Sequence, residues 1–266
     1  SALDKLRAAS GTDELRSYFS GLLKSDRNKA LELANDRQLG FGTLFALRDQ
    51  LARQDVFKEL NAKYQKALKL TNDLMGDKAR RLSLKFRQDD DYTASVLRWM
   101  LDTVGLEDGL GREYDRLMDF LAGLLVKRFR DYSVLIRIAE MIFSRHKKGK
   151  LIHDLVWAFF ESKNTDSILI IARWLSSNDV KDRKLALKLL GFIPSLNPPA
   201  KPDPYGYTRV LYWLQENKPF IYYTGESLHQ SCSPLHFRVS MVAKYLCRSV
   251  SVETGEPLYP LNEFEK

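Results

Sequence analysis

The most reactive side chains of this chain lie near its carboxyl end. They are His229, Cys232 and His236, with Cys247 further along. Thiolate and imidazole groups are zinc ligands, and spacings of three and four residues are compatible with a metal site. Zinc ligands usually come as recognisable pairs, which these do not form, so we expect no metal and no other cofactor. The alternative that we favour is structural: Cys247 lies in the core of the last helix, and the histidines cap helices or face solvent.

Cys232 is also a candidate nucleophile. Ser233 followed by Pro234 predicts the start of a helix that continues to Cys247, because serine caps helices and proline is tolerated in the first turn. A thiol beside the positive end of a helix dipole forms the thiolate more readily. An enzyme that uses Cys232 with a histidine is therefore a distant alternative, but we expect an ordinary thiol.

The densest group of cations is a candidate site for phosphate groups. We call six of these residues the basic edge: Arg145, Lys147, Lys148, Lys150, Lys181 and Lys184. They fall in two predicted turns that should be neighbours, because every second turn of stacked helical hairpins lies on the same edge. Such an edge can contact nucleic-acid phosphates. The competing explanation is a pair of solvated turns, which we favour because no aromatic residues that stack on bases lie between the cations.

Helices must position these residues, and residues 165–194 contain two of them. Thr165 predicts the cap of the first, residues 176–178 break the pattern, and Asp179 predicts the cap of the second. The second helix is followed by Gly191 and Pro194, which end helices.

The second helix resembles a HEAT repeat. The run D-x-x-x-R-x-x-A-x-x-x-L-G is matched by Asp179, Arg183, Ala186, Leu190 and Gly191. The chain departs from the family at Asp182, where the family usually has valine. The resemblance covers about one repeat. It implies an α-α superhelix in which the Asp and the Arg pair between neighbouring units and the Ala allows close helix approach.

The same resemblance suggests a third candidate site. His153, Asp154 and Trp157 lie on one predicted helix and can line a partner-binding groove. Some HEAT-like proteins are DNA glycosylases that use an acid and aromatic residues in such a groove. A tryptophan at helical spacing is more often part of the core, and only the likeness of fold favours a glycosylase.

Apolar stripes with the period of a helix recur along the chain, so we predict an all-α protein. Its expected architecture is a HEAT-like α-α superhelix (solenoid) of stacked antiparallel helical hairpins. The expected domains are an N-terminal helical region over 1–76, HEAT-like helical repeats over 77–194 and a C-terminal helical cap over 205–266. A proline-rich loop over 197–204 separates the last two.

Three local expectations follow from single residues. Asp26 should cap a short helix that runs through Ala34. Val56 and Tyr64 should share one face of a single longer helix. The segment 220–224 is the only plausible strand, and we favour extended chain there because no partner strand is visible.

Composition limits the function. The 266 residues include 42 Lys and Arg against 34 Asp and Glu, a net charge of +8 that permits an anionic partner. No run approaches the roughly 20 apolar residues of a membrane helix, so we expect no membrane. Two cysteines cannot form a disulfide framework, and we expect a cytoplasmic protein. Because the chain starts at Ser1 and stops within an amphipathic run, we expect the natural protein to be longer.

The common enzyme motifs are missing from the sequence: it has no phosphate-binding glycine loop, G-x-S-x-G, H-E-x-x-H or C-x-x-C. We therefore favour a non-catalytic scaffold or regulatory module that binds a protein partner on a concave repeat surface. Nucleic-acid binding along the basic edge is the main alternative.

Overall fold

Helices make up most of the chain, as the apolar periodicity predicts. The structure is a computed structural model that describes residues 1–76, 86–87, 90–102, 110–194, 196 and 201–259. It divides into two units, Ser1–Arg137 and Ile138–Lys266. The expected domain boundary at 76/77 lies at the edge of the described ranges, and residues 197–200, the first half of the proline-rich loop, lie outside them.

The described part of the first unit is helical. It contains α1 (Ala2–Ser25), α2 (Arg27–Ala34), α3 (Phe41–Ala46), α4 (Arg48–Leu51), α5 (Gln54–Phe57), α6 (Ala62–Met75), α7 (Asp91–Leu101), α8 (Gly111–Gly123), a π-helical segment (Leu124–Arg128) and a 3-10 turn (Tyr132–Val134). Its core includes a cluster of aromatic rings, in which Trp99 contacts Phe41 and stacks on Tyr64 with centroids 5.4 Å apart.

Capping side chains decide where two of these helices begin. Asp26 caps α2 by accepting a hydrogen bond from the Lys29 amide at 3.0 Å, which confirms the prediction. Asn61 caps α6 in the same way, accepting from the Tyr64 amide at 3.0 Å. Because Asn61 starts a new helix, the expectation of one long helix through Val56 and Tyr64 is wrong.

The second unit combines helices with a small sheet. Its elements are α9 (Leu135–Lys147, which begins in the first unit), α10 (His153–Phe160), α11 (Ser167–Ala172), a 3-10 turn (Arg173–Ser176), α12 (Val180–Leu189), α13 (Gly206–Asn217), a 3-10 turn (Lys218–Phe220), β1 (Ile221–Tyr223), β2 (Phe237–Val239) and α14 (Met241–Tyr245). Helix α11 packs against both α12 and α13.

The segment 165–194, for which the sequence predicts two helices, forms α11 and α12. Asp179 caps α12, as predicted, and its carboxylate accepts from the Lys181 amide at 2.8 Å. The first helix is preceded by Asp166 rather than by Thr165. Arg183 is buried and donates to the carbonyl groups of Ser177 and Asn178 at 2.8 and 2.9 Å, so it fastens the turn before its own helix.

Residues 221–239 correct two expectations. Strand β1 pairs with β2 in antiparallel register, with Tyr223 opposite Phe237, so the segment at 220–224 has a partner and is a true strand. The helix predicted from Ser233 to Cys247 is confined to α14. The physical reason is burial: His236 and Phe237 are both fully buried, and the strand places them in the core next to Phe160.

No helix in the described ranges combines the length and the apolar character needed to cross a membrane.

Candidate functional site

Part of the basic edge surrounds a pocket in the second unit. The pocket has a volume of about 460 Å³ and is formed by the end of α9, the α9–α10 turn, the start of α10, one face of α12 and Leu228. Its cationic lining residues are Lys150, Lys181, Lys184 and Lys188, and its imidazoles are His146 and His153. We call this site the lysine pocket. Its lining includes no carboxylate from the described part of the chain.

Helix α12 supplies three of the four lysines. Lys181, Lys184 and Lys188 are spaced by three and four residues, so they lie on one face of the helix. The cap at Asp179 sets where the helix begins and therefore which face these residues occupy. Leu185 lines the same pocket but is buried, which anchors that face of α12 to the core.

The α9–α10 turn supplies the fourth lysine. Gly149 has a φ of +67°, a backbone conformation that side chains with a Cβ rarely adopt. Its amide donates to the His146 carbonyl at 3.1 Å, and the Lys150 amide donates to the Arg145 carbonyl at 2.9 Å. This tight turn closes α9 and brings Lys150 and His153 to the same pocket.

Lys184 and Lys188 differ from their neighbour Lys147 in how their charge is compensated. Within the described residues, Lys184 and Lys188 form no ion pair. The ammonium group of Lys147 instead lies 3.0 Å from the carboxylate of the buried Asp182 and 3.8 Å from that of Asp179. Lys147 therefore joins α9 to α12 and contributes little net charge to the pocket.

The structure places the members of the basic edge in different environments. Lys150, Lys181 and Lys184 line the pocket, whereas Lys148 is exposed outside its lining. Arg145 is only 1% exposed, so its guanidinium lies in the interior and is not available at a surface edge. Burial of Arg145 is a tertiary property that the charge run does not reveal. Lys188 was missed, although its position seven residues after Lys181 already places it on the same helix face.

His146 adds an uncharged polar group to this cationic site. Burial lowers the pKa of His146 below its ordinary value of 6.5, and the positive charges of Lys181 and Lys188 act in the same direction, against the opposing effect of Asp182 and Asp179. At neutral pH the ring is therefore neutral, with one nitrogen that donates and one that accepts.

The three residues of the expected partner-binding groove are only partly brought together. His153 lines the lysine pocket, and its ring meets the ring of His229 edge to face with centroids 5.6 Å apart. Asp154, the residue after His153, also contacts His229, and its Oδ1 lies 3.1 Å from Nε2 of His229. Trp157 is half-buried and is not part of the pocket lining.

The histidines and cysteines near the carboxyl end have separate roles. His229 pairs with Asp154, whereas His236 is buried and stacks on Phe160 with centroids 3.8 Å apart. His236 Nδ1 donates to the Glu226 carbonyl at 3.1 Å. Burial is the main cause that lowers its pKa to about 4. Among the described residues, no three His, Cys, Asp or Glu side chains are grouped to hold a metal ion.

Both cysteines are exposed free thiols. Cys247 follows the end of α14 and is exposed, so the expectation that it lies in the core of the last helix is wrong. No helix starts directly after Cys232, because the chain continues into β2 before α14 begins. The helix-dipole argument for a reactive Cys232 therefore fails.

The geometry thus provides a concave cationic pocket, a histidine pair of which His229 is held by a carboxylate, and two exposed thiols. Comparison of the chain with known protein families, curated proteins and solved structures found no match.

Proposed function

We propose that this chain is a non-catalytic binding module whose lysine pocket contacts the phosphate groups of a nucleic acid. The observation that carries the proposal is the convergence of Lys150, Lys181, Lys184 and Lys188 on one pocket whose described lining has no carboxylate. The sequence alone favours a pair of solvated turns at these positions. Cations in solvated turns would not be expected to converge on one site. A shared concave site is better explained by an anionic ligand.

The physical basis of the proposal is electrostatic. Ammonium groups held close together repel one another, and an anion among them relieves the repulsion. Phosphates neutralised by lysines also release condensed counterions, which drives binding and makes it sensitive to salt. Lysine contacts to phosphate carry no sequence information, so the proposed binding is independent of base sequence.

We further propose that α11 and α12 form a HEAT-like hairpin within an α-α superhelix. The cap at Asp179 and the complete burial of Ala186 and Leu190 support this architecture. The environment of Asp182 explains the departure from the family pattern, since its carboxylate pairs with Lys147 where valine would make an apolar contact. The two free thiols accord with a reducing compartment, and we propose the cytoplasm.

A protein-interaction scaffold is the second candidate. It is favoured by α14, where Met241, Val242 and Tyr245 are 68%, 69% and 89% exposed. Three large apolar side chains on one short helix leave apolar area in water, which is typical of a surface that a protein partner covers.

Salt-dependent binding of a single-stranded oligonucleotide tests the first candidate. We expect log affinity to fall linearly with log salt, with a slope of about −0.7 for each phosphate neutralised. The double variant Lys184→Gln/Lys188→Gln should weaken binding and flatten this slope. The double variant Arg173→Gln/Lys201→Gln is the matched control, because it removes the same charge from exposed positions outside the pocket lining.

If the two double variants bind equally well, the pocket does not hold the nucleic acid and the first candidate is wrong. The second candidate is tested in parallel by recovering protein partners with the Met241→Ser/Val242→Ser/Tyr245→Ser variant. A scaffold that uses α14 should lose its partner in this variant and keep it when Lys184 and Lys188 are replaced.

A further inference from the structure

The lysine pocket is only partly cationic. Its apolar lining residues are Leu151, Ile152, Leu185 and Leu228. Leu151 is 80% exposed and lies beside Lys150, so an apolar side chain is left in water next to a cation. The volume of about 460 Å³ falls in the range of about 300–1,000 Å³ that is typical of sites for small molecules. Proteins that contact an internal stretch of a nucleic-acid strand usually do so with an open cationic groove that runs along the phosphate backbone. Such contact needs neither an enclosed pocket nor apolar lining residues.

We infer that the lysine pocket receives the phosphorylated end of a nucleic-acid strand, with the terminal phosphomonoester among the lysines and the first nucleoside against the leucines. This inference rests on the proposed function and specifies which part of the nucleic acid enters the pocket. A free mononucleotide presents the same chemistry, so the experiment below includes both.

Charge distinguishes the end of a strand from its interior. A terminal phosphomonoester carries a charge of about −1.5 to −2 at neutral pH, whereas an internal diester carries one negative charge. Coulomb attraction is proportional to the product of the charges, so the same lysines attract the end nearly twice as strongly. Lys181, Lys184 and Lys188 lie on one face of α12 and line the pocket, and their three positive charges exceed the one negative charge of a single diester.

The apolar lining gives the second part of the preference. A sugar and base placed against Leu151 and Leu228 would remove apolar surface from water, which stabilises the complex. His146 and His153 line the same pocket and can hydrogen-bond to the hydroxyl groups of the sugar or to phosphate oxygens. A ligand with both a dianionic group and a nucleoside matches the whole lining, and inorganic phosphate matches only its cationic part.

Fluorescence anisotropy with single strands of about 12 nucleotides tests the inference in about 150 mM salt. Two strands of identical sequence are compared, one with a 5′-phosphate and one with a 5′-hydroxyl, both labelled at the 3′ end. A mononucleoside 5′-monophosphate and inorganic phosphate serve as competitors. The proteins are the wild type, Lys184→Gln/Lys188→Gln, Leu151→Ser, and the control Arg173→Gln/Lys201→Gln.

We expect the phosphorylated strand to bind about tenfold more tightly than the hydroxyl strand, because its terminal phosphate adds negative charge that the lysines attract. Lys184→Gln/Lys188→Gln should abolish this preference, Leu151→Ser should reduce it, and the control should keep it. The mononucleotide should compete better than inorganic phosphate. If neither strand binds and calorimetry shows that the mononucleotide binds directly, the ligand is a free nucleotide, and both the end recognition and the proposed function are overturned.

Two other outcomes separate the inference from the proposed function. Equal binding of both strands, weakened equally by the two pocket substitutions, would retain nucleic-acid binding and overturn the recognition of a phosphorylated end. Binding that responds to Lys184→Gln/Lys188→Gln no more than to Arg173→Gln/Lys201→Gln would overturn both.

Discussion

The ammonium group of Lys147, the last residue of α9, lies 3.0 Å from the carboxylate of Asp182 in the first turn of α12. Asp182 is only 2% exposed and also accepts a hydrogen bond from the Ser177 hydroxyl at 2.8 Å. This ion pair joins the two elements that carry most of the lysine pocket. Because Lys147 is paired with Asp182, we expect it to stabilise the fold, whereas the lysines that line the pocket are the candidates for binding a ligand.

Removing Lys147 should therefore destabilise the protein. Lys147→Ala leaves a buried carboxylate with one hydroxyl partner, and we expect a loss of about 1–2 kcal/mol, less than for a fully buried pair because Lys147 is half exposed. Urea denaturation gives the free energy of unfolding. Lys184→Ala is the control, and a change within about 0.5 kcal/mol is expected there. Equal effects of the two substitutions would contradict the ion pair.

The cap of α12 gives the second prediction. Asp179→Ala removes the acceptor for the Lys181 amide and should lower the free energy of unfolding by about 1 kcal/mol. Asp179→Asn keeps the capping oxygen, so most of the stability should remain in that variant. Thermal melts of both variants check the prediction, which fails if the alanine variant melts with the wild type.

The third prediction concerns the core beneath α12. Leu190 is fully buried, and Leu190→Ala should lower the free energy of unfolding by about 2–5 kcal/mol through lost apolar contact and a residual cavity. Leu151→Ala removes the same atoms from an exposed position and should change the stability by less than about 0.5 kcal/mol. A Leu190→Ala protein as stable as the wild type would show that this position is not internal.

The fourth prediction is that the free energy of unfolding decreases as the pH is lowered, because of His236. Its pKa is about 4 in the folded protein, where the ring is buried, and about 6.5 in the unfolded chain. The unfolded state therefore binds a proton that the folded state does not, so the free energy of unfolding decreases as pH falls from about 6.5 towards 4. At about 1.4 kcal/mol per pKa unit, the full loss is about 3 kcal/mol.

Urea titrations at pH 7 and pH 4.5 measure this difference directly. His236→Gln should reduce the loss between the two pH values, whatever its effect on stability at pH 7. The lowered pKa of His146 also makes the free energy of unfolding decrease as the pH falls. His146→Gln therefore shows how much of the pH dependence comes from this less buried histidine. An unchanged pH dependence in the His236→Gln variant would contradict the prediction.

The fifth prediction concerns the two thiols. Cys232 and Cys247 are both exposed, so a thiol reagent should modify both in the native protein without denaturant. Cys232→Ser should remove one of the two reactive groups, and denaturation should expose no further thiol. Elemental analysis of the purified protein should find no stoichiometric zinc. About one zinc per chain, lost in Cys232→Ser, would contradict our expectation of an ordinary thiol.

The amino-acid sequence by itself determined the features that depend on neighbours along the chain. Apolar periodicity identified the helical class, because a helix repeats its buried face every three or four residues. Asp26 and Asp179 marked where α2 and α12 begin, since a capping carboxylate acts on amides only two or three residues away. The spacing of Lys181, Lys184 and Lys188 likewise places them on one face without any tertiary information.

Only the tertiary structure decided which of these groups meet and which are buried. Arg145 and Lys147 are two residues apart in one basic run, yet the first lies in the interior and the second pairs with Asp182, because helix packing sets their environments. The pairing of β1 with β2 joins residues about 16 positions apart and has no local signal. Burial of His236 follows from that pairing. The lysine pocket depends on the same kind of long-range contact, between a turn, a helix face and a distant loop.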